Sequence, residues 1–134
     1  MIVVDSSFLV AYHNTRDAHH GAAGEVMERL LAGEWGEALL PEYVFLEVTT
    51  VLAARQSLES VVAVGRTLLA ARELRFVPCS DLFLDAFENF QTQSRADLGF
   101  ADAAIVAIAR KHQAEHIATF DADFRNVPGV TVVP

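Results

Sequence analysis

One cysteine, Cys79, stands alone in 134 residues, so no internal disulfide can form. A reducing, cytoplasmic setting is the expectation. Glycine (7) and proline (4) are too scarce for a fibrous or low-complexity chain. Lysine is nearly missing: of ten bases only Lys111 is one, and the other nine are arginines. No apolar run reaches the roughly 18 residues needed to span a bilayer, so no membrane partner is expected. The start, Met-Ile-Val-Val-Asp, has no basic segment before its apolar stretch, which argues against a signal peptide.

What is present is apolar and acidic. Hydrophobic residues make up 52% and mean hydropathy is +0.28, which excludes intrinsic disorder. The length suits a single domain over 1–134. Eighteen acids face ten bases, for a net charge of −8 and a pI near 4.9. A protein held to nucleic acid by bulk electrostatics would be basic. Any such contact here must be local or must come through metal ions. For most of the acids, solubility is explanation enough.

Short β-like runs alternate with helical patterns. The runs are Ile2–Val4, Ala38–Leu40, Phe76–Val77, His116–Thr119 and Val130–Val133. Without polar alternation they suit strands covered on both faces. Asp17 reads as the N-cap of a helix through Leu31, and Pro41 as the first residue of one running to Arg55. Ser57 should cap a helix to about Arg72, and Ser80 should start one bearing Phe83, Leu84, Phe87 and Phe90. Gly99 to His112 is apolar on almost every side and should be buried. The expectation is an α/β fold, a mainly parallel sheet with helices on both faces, whose crevice lies beyond the carboxyl ends of the strands.

Acids stand at that edge. Asp5 follows the first run and Asp121 follows the fourth; Asp5 could equally be a helix N-cap. Glu47 lies within a helix, with Tyr43, Val44 and Val51 around it, so its face reads as largely apolar. Asp102 opens the most apolar helix, in line with Val106 and Ala109. Asp97 and Asp123 are further candidates. Each acid alone has an ordinary explanation, but four elements delivering acids to one crevice is a different matter. Two unit charges about 4 Å apart repel by roughly 4 kcal/mol at an effective dielectric of 20. The set offers oxygen only, with no His or Cys at ligand spacing, which fits Mg²⁺ or Mn²⁺ and phosphodiester hydrolysis. His19 and His20 are adjacent and read as surface residues.

The segments Ile2–Ser7, Leu98–Ile105 and Thr119–Phe124, with Glu47 in its helix, resemble the PIN-domain ribonucleases, and among them the VapC-type toxins of toxin–antitoxin pairs. The likeness runs from end to end. It implies a three-layer α/β sandwich with a five-stranded sheet in the order 3-2-1-4-5. It implies that Asp5, Glu47, Asp102 and Asp121 form the catalytic quartet around Mg²⁺ or Mn²⁺, with Asp5 and Asp102 the most direct ligands. Ser6 and Thr119 match positions that hydrogen-bond the carboxylates, and Asp97 and Asp123 are supporting candidates. Gly99 replaces a serine often found before the helix. A homodimer, an RNA substrate and a VapB-type antitoxin are implied as partners. Arg16, Arg55 and Arg95 are candidates to grip the substrate.

Two other readings stay open: a non-toxin PIN-type nuclease of RNA processing, and a non-catalytic acidic protein-binding module. A haloacid-dehalogenase-type phosphatase would need an aspartate where Ser7 stands. A phospho-receiver would need one after the third strand, where Pro78 and Cys79 lie. Val61, Val62, Val64, Leu68 and Leu69 give the helix after Ser57 more apolar area than a small monomer hides, so a dimer or partner interface is expected there.

Overall fold

Ile2–Val4 form strand β1, and all three residues are 0% exposed. A strand so completely covered needs neighbours on both sides and helices on both faces. It has them. In the computed structural model, which describes residues 1–93 and 97–134, β1 is the middle of a five-stranded sheet with β2 (Ala38–Pro41), β3 (Leu74–Val77), β4 (His116–Ala118) and β5 (Thr131–Val133). The order is β3-β2-β1-β4-β5 and every pairing is parallel. Ile2 lies opposite Ala38 on one side and His116 on the other, and Val4 lies opposite Ala118. β1 and β4 therefore end level with each other. The strand order reverses at β1, which makes its carboxyl end the switch point of the sheet.

Six helices are seen among the described residues: α1 (Ser6–His13), α2 (His20–Leu31), α3 (Glu42–Ala53), α4 (Leu58–Ala70), α5 (Phe83–Thr92) and α6 (Phe100–His112). α1 packs on α2 and α3, α3 packs on α4, and α5 packs on α6, which lies against β1. Right-handed crossovers put the helices of the outgoing and returning halves on opposite faces. Ala103 through Ala109 of α6 are all buried. Its alanines bring the helix close to its neighbours, while Ile105 and Ile108 fill the space between. Burying such a side chain fully stabilises the fold by about 1.5–3 kcal/mol. Among the described residues no helix is long and apolar enough to cross a membrane.

Several boundaries differ from expectation, each for a local reason. Asp17 does not cap α2. Its carboxylate accepts from the His19 N–H at 2.8 Å and closes the turn before the helix, which starts at His20. Pro41 is not inside α3; it ends β2 with an extended ψ of 143° and stands at the N-cap. That helix ends at Ala53, before Arg55. Ser80 opens a 3-10 turn, Ser80–Leu82, and α5 begins only at Phe83. Ser57 does cap α4, accepting from the Ser60 N–H at 3.2 Å. On α4, Val61 and Leu68 turn inward, leaving Leu58, Val62 and Leu69 exposed. The fuller exposed apolar face is on α5, where Phe83, Leu84, Phe87 and Phe90 all reach solvent.

Candidate active site

Asp5 is the first residue past β1, and its N–H donates to the Ala118 carbonyl at the end of β4. The sheet thus places Asp5 beside Thr119. Asp5 is only 2% exposed. A carboxylate so deep must be hydrogen-bonded to persist. Its Oδ2 accepts from the Ser7 hydroxyl at 2.6 Å, the Thr119 hydroxyl at 2.7 Å and the Ser7 N–H at 3.3 Å. Hydrogen bonds to a charged group contribute about 1.5–3 kcal/mol each. The two hydroxyls are held in turn: Ser7 Oγ accepts from the Phe120 N–H and Thr119 Oγ1 from the Asp121 N–H, both at 3.0 Å. Asp5 is also the N-cap of α1, accepting from the Ser7 N–H.

Oδ1 of Asp5 is different. Among the described residues it has only a 3.4 Å contact from the Ser6 hydroxyl. The better-placed hydroxyl is that of Ser7, which sequence reasoning passed over. Its signal was the paired serines after Asp5: an N-cap acid accepts from the residue two positions on, and that residue is Ser7.

Asp102 sits in the first turn of α6, half-buried. A helix N-terminus ordinarily favours a carboxylate there. Here burial, followed by the charges of Asp5, Asp121, Glu47 and Asp123, pushes its carboxyl up to about 7. The described groups that act on Asp102 are thus four acids from three other parts of the chain. Gly99 is the N-cap and offers no side chain to that turn. A Cβ placed there would stand 4.0 Å from Oδ2 of Asp102, so the departure from serine leaves the carboxylate with open space on that side.

Glu47 is exposed, although its neighbours Tyr43, Val44 and Val51 do pack on the core as expected. The core stripe of α3 is Val44, Val48 and Leu52. Glu47 lies on the flank, in a cleft of about 450 Å³ with Tyr43, Leu46, Thr50, Phe100 and Ala101. Asp121 caps the 3-10 turn Ala122–Asn126 by accepting from the Asp123 N–H at 2.9 Å. Asp97 is exposed and is not among the charges acting on Asp102. Arg16, in the turn after α1, and Arg55, just past α3, are both exposed. Arg95 lies outside the described residues. Among the described residues, no three acidic, histidine or cysteine side chains already stand at the mutual distances of a metal centre.

Comparison with known proteins places the chain in a family. Residues 2–130 match the PIN domain family. The 23S rRNA-specific endonuclease VapC20 of Mycobacterium tuberculosis is 31% identical over 134 residues, covering 100% of this chain and 99% of that protein. The crystal structure of M. tuberculosis VapC20, described as a Sarcin-Ricin loop cleaving toxin, superposes over 100% of both chains with a TM-score of 0.84 and 30% identity. Two more distant structures share the fold. VapBC2 from Rickettsia felis, bound to a DNA fragment from its promoter, has a TM-score of 0.70 at 14% identity, over 98% of this chain and 97% of that one. FitAcB from Neisseria gonorrhoeae has a TM-score of 0.66 at 16% identity, over 100% of this chain and 97% of that one. PIN-domain nucleases are generally dependent on divalent metal. With the fold, the sheet order and a full-length relative in agreement, the chain belongs to the PIN-domain family and is a nuclease of its VapC type.

Proposed function

We propose that this chain is an endoribonuclease dependent on Mg²⁺ or Mn²⁺ and the toxin of a type II toxin–antitoxin pair. What supports the reading is that Asp5 and Asp121, which follow the neighbouring strands β1 and β4, act together with Glu47 and Asp123 on the Asp102 carboxyl. The donor set is all oxygen, which suits a hard cation. Asp5, Glu47, Asp102 and Asp121 would hold it, and Asp123 adds charge at the rim. When bound, the cation supplies charge neutralisation, Lewis acidity toward a phosphoryl oxygen and activation of water.

The chain's own residues do the positioning. Ser7 and Thr119 tie down Oδ2 of Asp5 and leave Oδ1, with only the long Ser6 contact, as the oxygen that would serve as donor. Thr119 also fixes the backbone at Asp121, so one hydroxyl sets two acids. Ser6 has the weaker hold. Glu47, exposed in its cleft, is reachable from solvent by an extended strand of RNA.

RNA is the proposed substrate class, and 23S rRNA, named for VapC20, is the first to test. The purified chain should cut it with Mg²⁺ or Mn²⁺ and be silent in EDTA. Asp102→Asn should lose cleavage while keeping its fold. Cleavage at the parent rate by that variant would remove Asp102 from the site. The proposed partners are a VapB-type antitoxin and a second copy of the chain. A single protomer by light scattering at micromolar concentration would overturn the dimer.

A further inference from the structure

The imidazole of His19 lies flat on the phenyl ring of Phe120. Their centroids are 4.4 Å apart and their planes differ by 8°. Phe120 is one residue from Thr119, which holds Asp5, and one from Asp121; its own N–H donates to Ser7. The pair is therefore fastened to the rim of the acidic crevice. Phe120 packs on the core from below, whereas His19 is exposed.

The turn that carries His19 is built rather than slack. Asp17 accepts from the His19 N–H at 2.8 Å, and its own N–H donates to the Asn14 carbonyl at 2.9 Å. Next door, Nδ1 of His20 lies 2.9 Å from the Ala11 carbonyl, pinning the start of α2 to α1. α2 gains no side-chain cap from His19. The ring is thus ordered beside the crevice without serving the helix it precedes.

We infer that His19, backed by Phe120, is a stacking platform for one nucleobase of the RNA, next to the place where a cation on the carboxylates would hold a phosphate. Single-stranded RNA is recognised largely by unstacked bases lying on aromatic side chains, histidine included. An acidic protein gains most from such a contact, because stacking needs no positive surface. This inference rests on the nuclease reading, and its test separates the two.

The probe is a single-stranded RNA heptamer carrying 2-aminopurine, whose fluorescence falls when the base stacks, titrated with Ca²⁺ in place of Mg²⁺ or Mn²⁺, so that a cation joins phosphate to carboxylates while cutting is held back. The wild-type chain should quench it. His19→Ala should lose the quenching and bind roughly 5- to 150-fold more weakly, as expected for one stacked base. His19→Tyr should restore both. His19→Leu covers Phe120 equally well but has no π face, and should not. In cleavage with Mn²⁺, His19→Ala should raise KM and leave kcat near the parent value. Its melting temperature should fall only slightly, from the lost stack on Phe120, and its response to Mn²⁺ should be unchanged. Equal quenching and equal KM in wild type and His19→Ala would overturn the platform and leave the nuclease standing. Quenching by the wild type without cleavage under any divalent ion would do the reverse.

Discussion

The hydroxyl of Thr119 donates to Oδ2 of Asp5 at 2.7 Å, across 114 positions of sequence. This one bond joins the ends of β1 and β4 at the place where the sheet reverses its order. It also makes the two acids that follow those strands a single unit.

Thr119→Val keeps the shape and removes the hydroxyl. Asp5 then loses a donor and the Asp121 N–H loses its acceptor. We expect stability to fall by about 1.5–3 kcal/mol in a urea titration. RNA cleavage should fall by about 10–100-fold, the usual cost of removing a group that orients a metal ligand. Parent-like values for both would show that the bond is incidental.

The two serines after Asp5 should behave unequally. Ser7 holds Asp5 at 2.6 Å, whereas Ser6 stands at 3.4 Å. Ser7→Ala should cost about 1.5–3 kcal/mol and Ser6→Ala clearly less. Denaturant midpoints of the two variants check this directly, and the opposite ranking would reassign the roles.

Metal should stabilise the fold by binding the native state alone. At a hundredfold excess over Kd the gain is about 2.7 kcal/mol. Differential scanning with Mg²⁺ or Mn²⁺ should register it as a higher melting temperature, and Asp5→Asn should abolish the rise. No shift with either ion would remove the cation from the proposed site.

Two groups give the metal-free protein opposite pH responses. The Asp102 carboxyl ionises at about 7 in the fold against an ordinary value of 3.8. Between those values the folded chain holds a proton that the unfolded chain has released, so stability falls as pH rises through the window. Asp102→Asn should remove that fall. His13 is depressed below 6.5 by burial, and its Nε2 is buried without a hydrogen-bond partner among the described residues. Its unfolded form takes up a proton first, so this contribution to stability is lost as pH drops below 6.5. Urea midpoints from pH 4 to 8 in EDTA, for Asp102→Asn and His13→Phe, should separate the two slopes. A variant that leaves the parent profile intact would refute the corresponding assignment.

The parts of this fold that were legible in the sequence are those where one physical demand dominates. Ile2–Val4 and Ala103–Ala109 are unbroken apolar runs, and burial on all sides is the one state that suits them. The helix starts were harder, because a short polar side chain can serve a turn as well as a cap. Asp17 closes the turn at His19, and the helix begins after it. Glu47 shows the limit of reading one helix face by neighbours. Val44 and Val51 flank it and both pack on the core, yet the fully buried stripe is Val44, Val48 and Leu52, and Glu47 itself reaches solvent. Ser7 was hidden for another reason: its importance comes from Thr119 and Phe120, far along the chain.

That long reach bears on the birth of the molecule. A ribosome emits Asp5 almost at once, but the threonine and the second acid that complete its surroundings emerge only after more than a hundred further peptide bonds have been made. The surroundings of Asp5 are therefore complete only when the chain is nearly finished, and a product cut short before β4 lacks them.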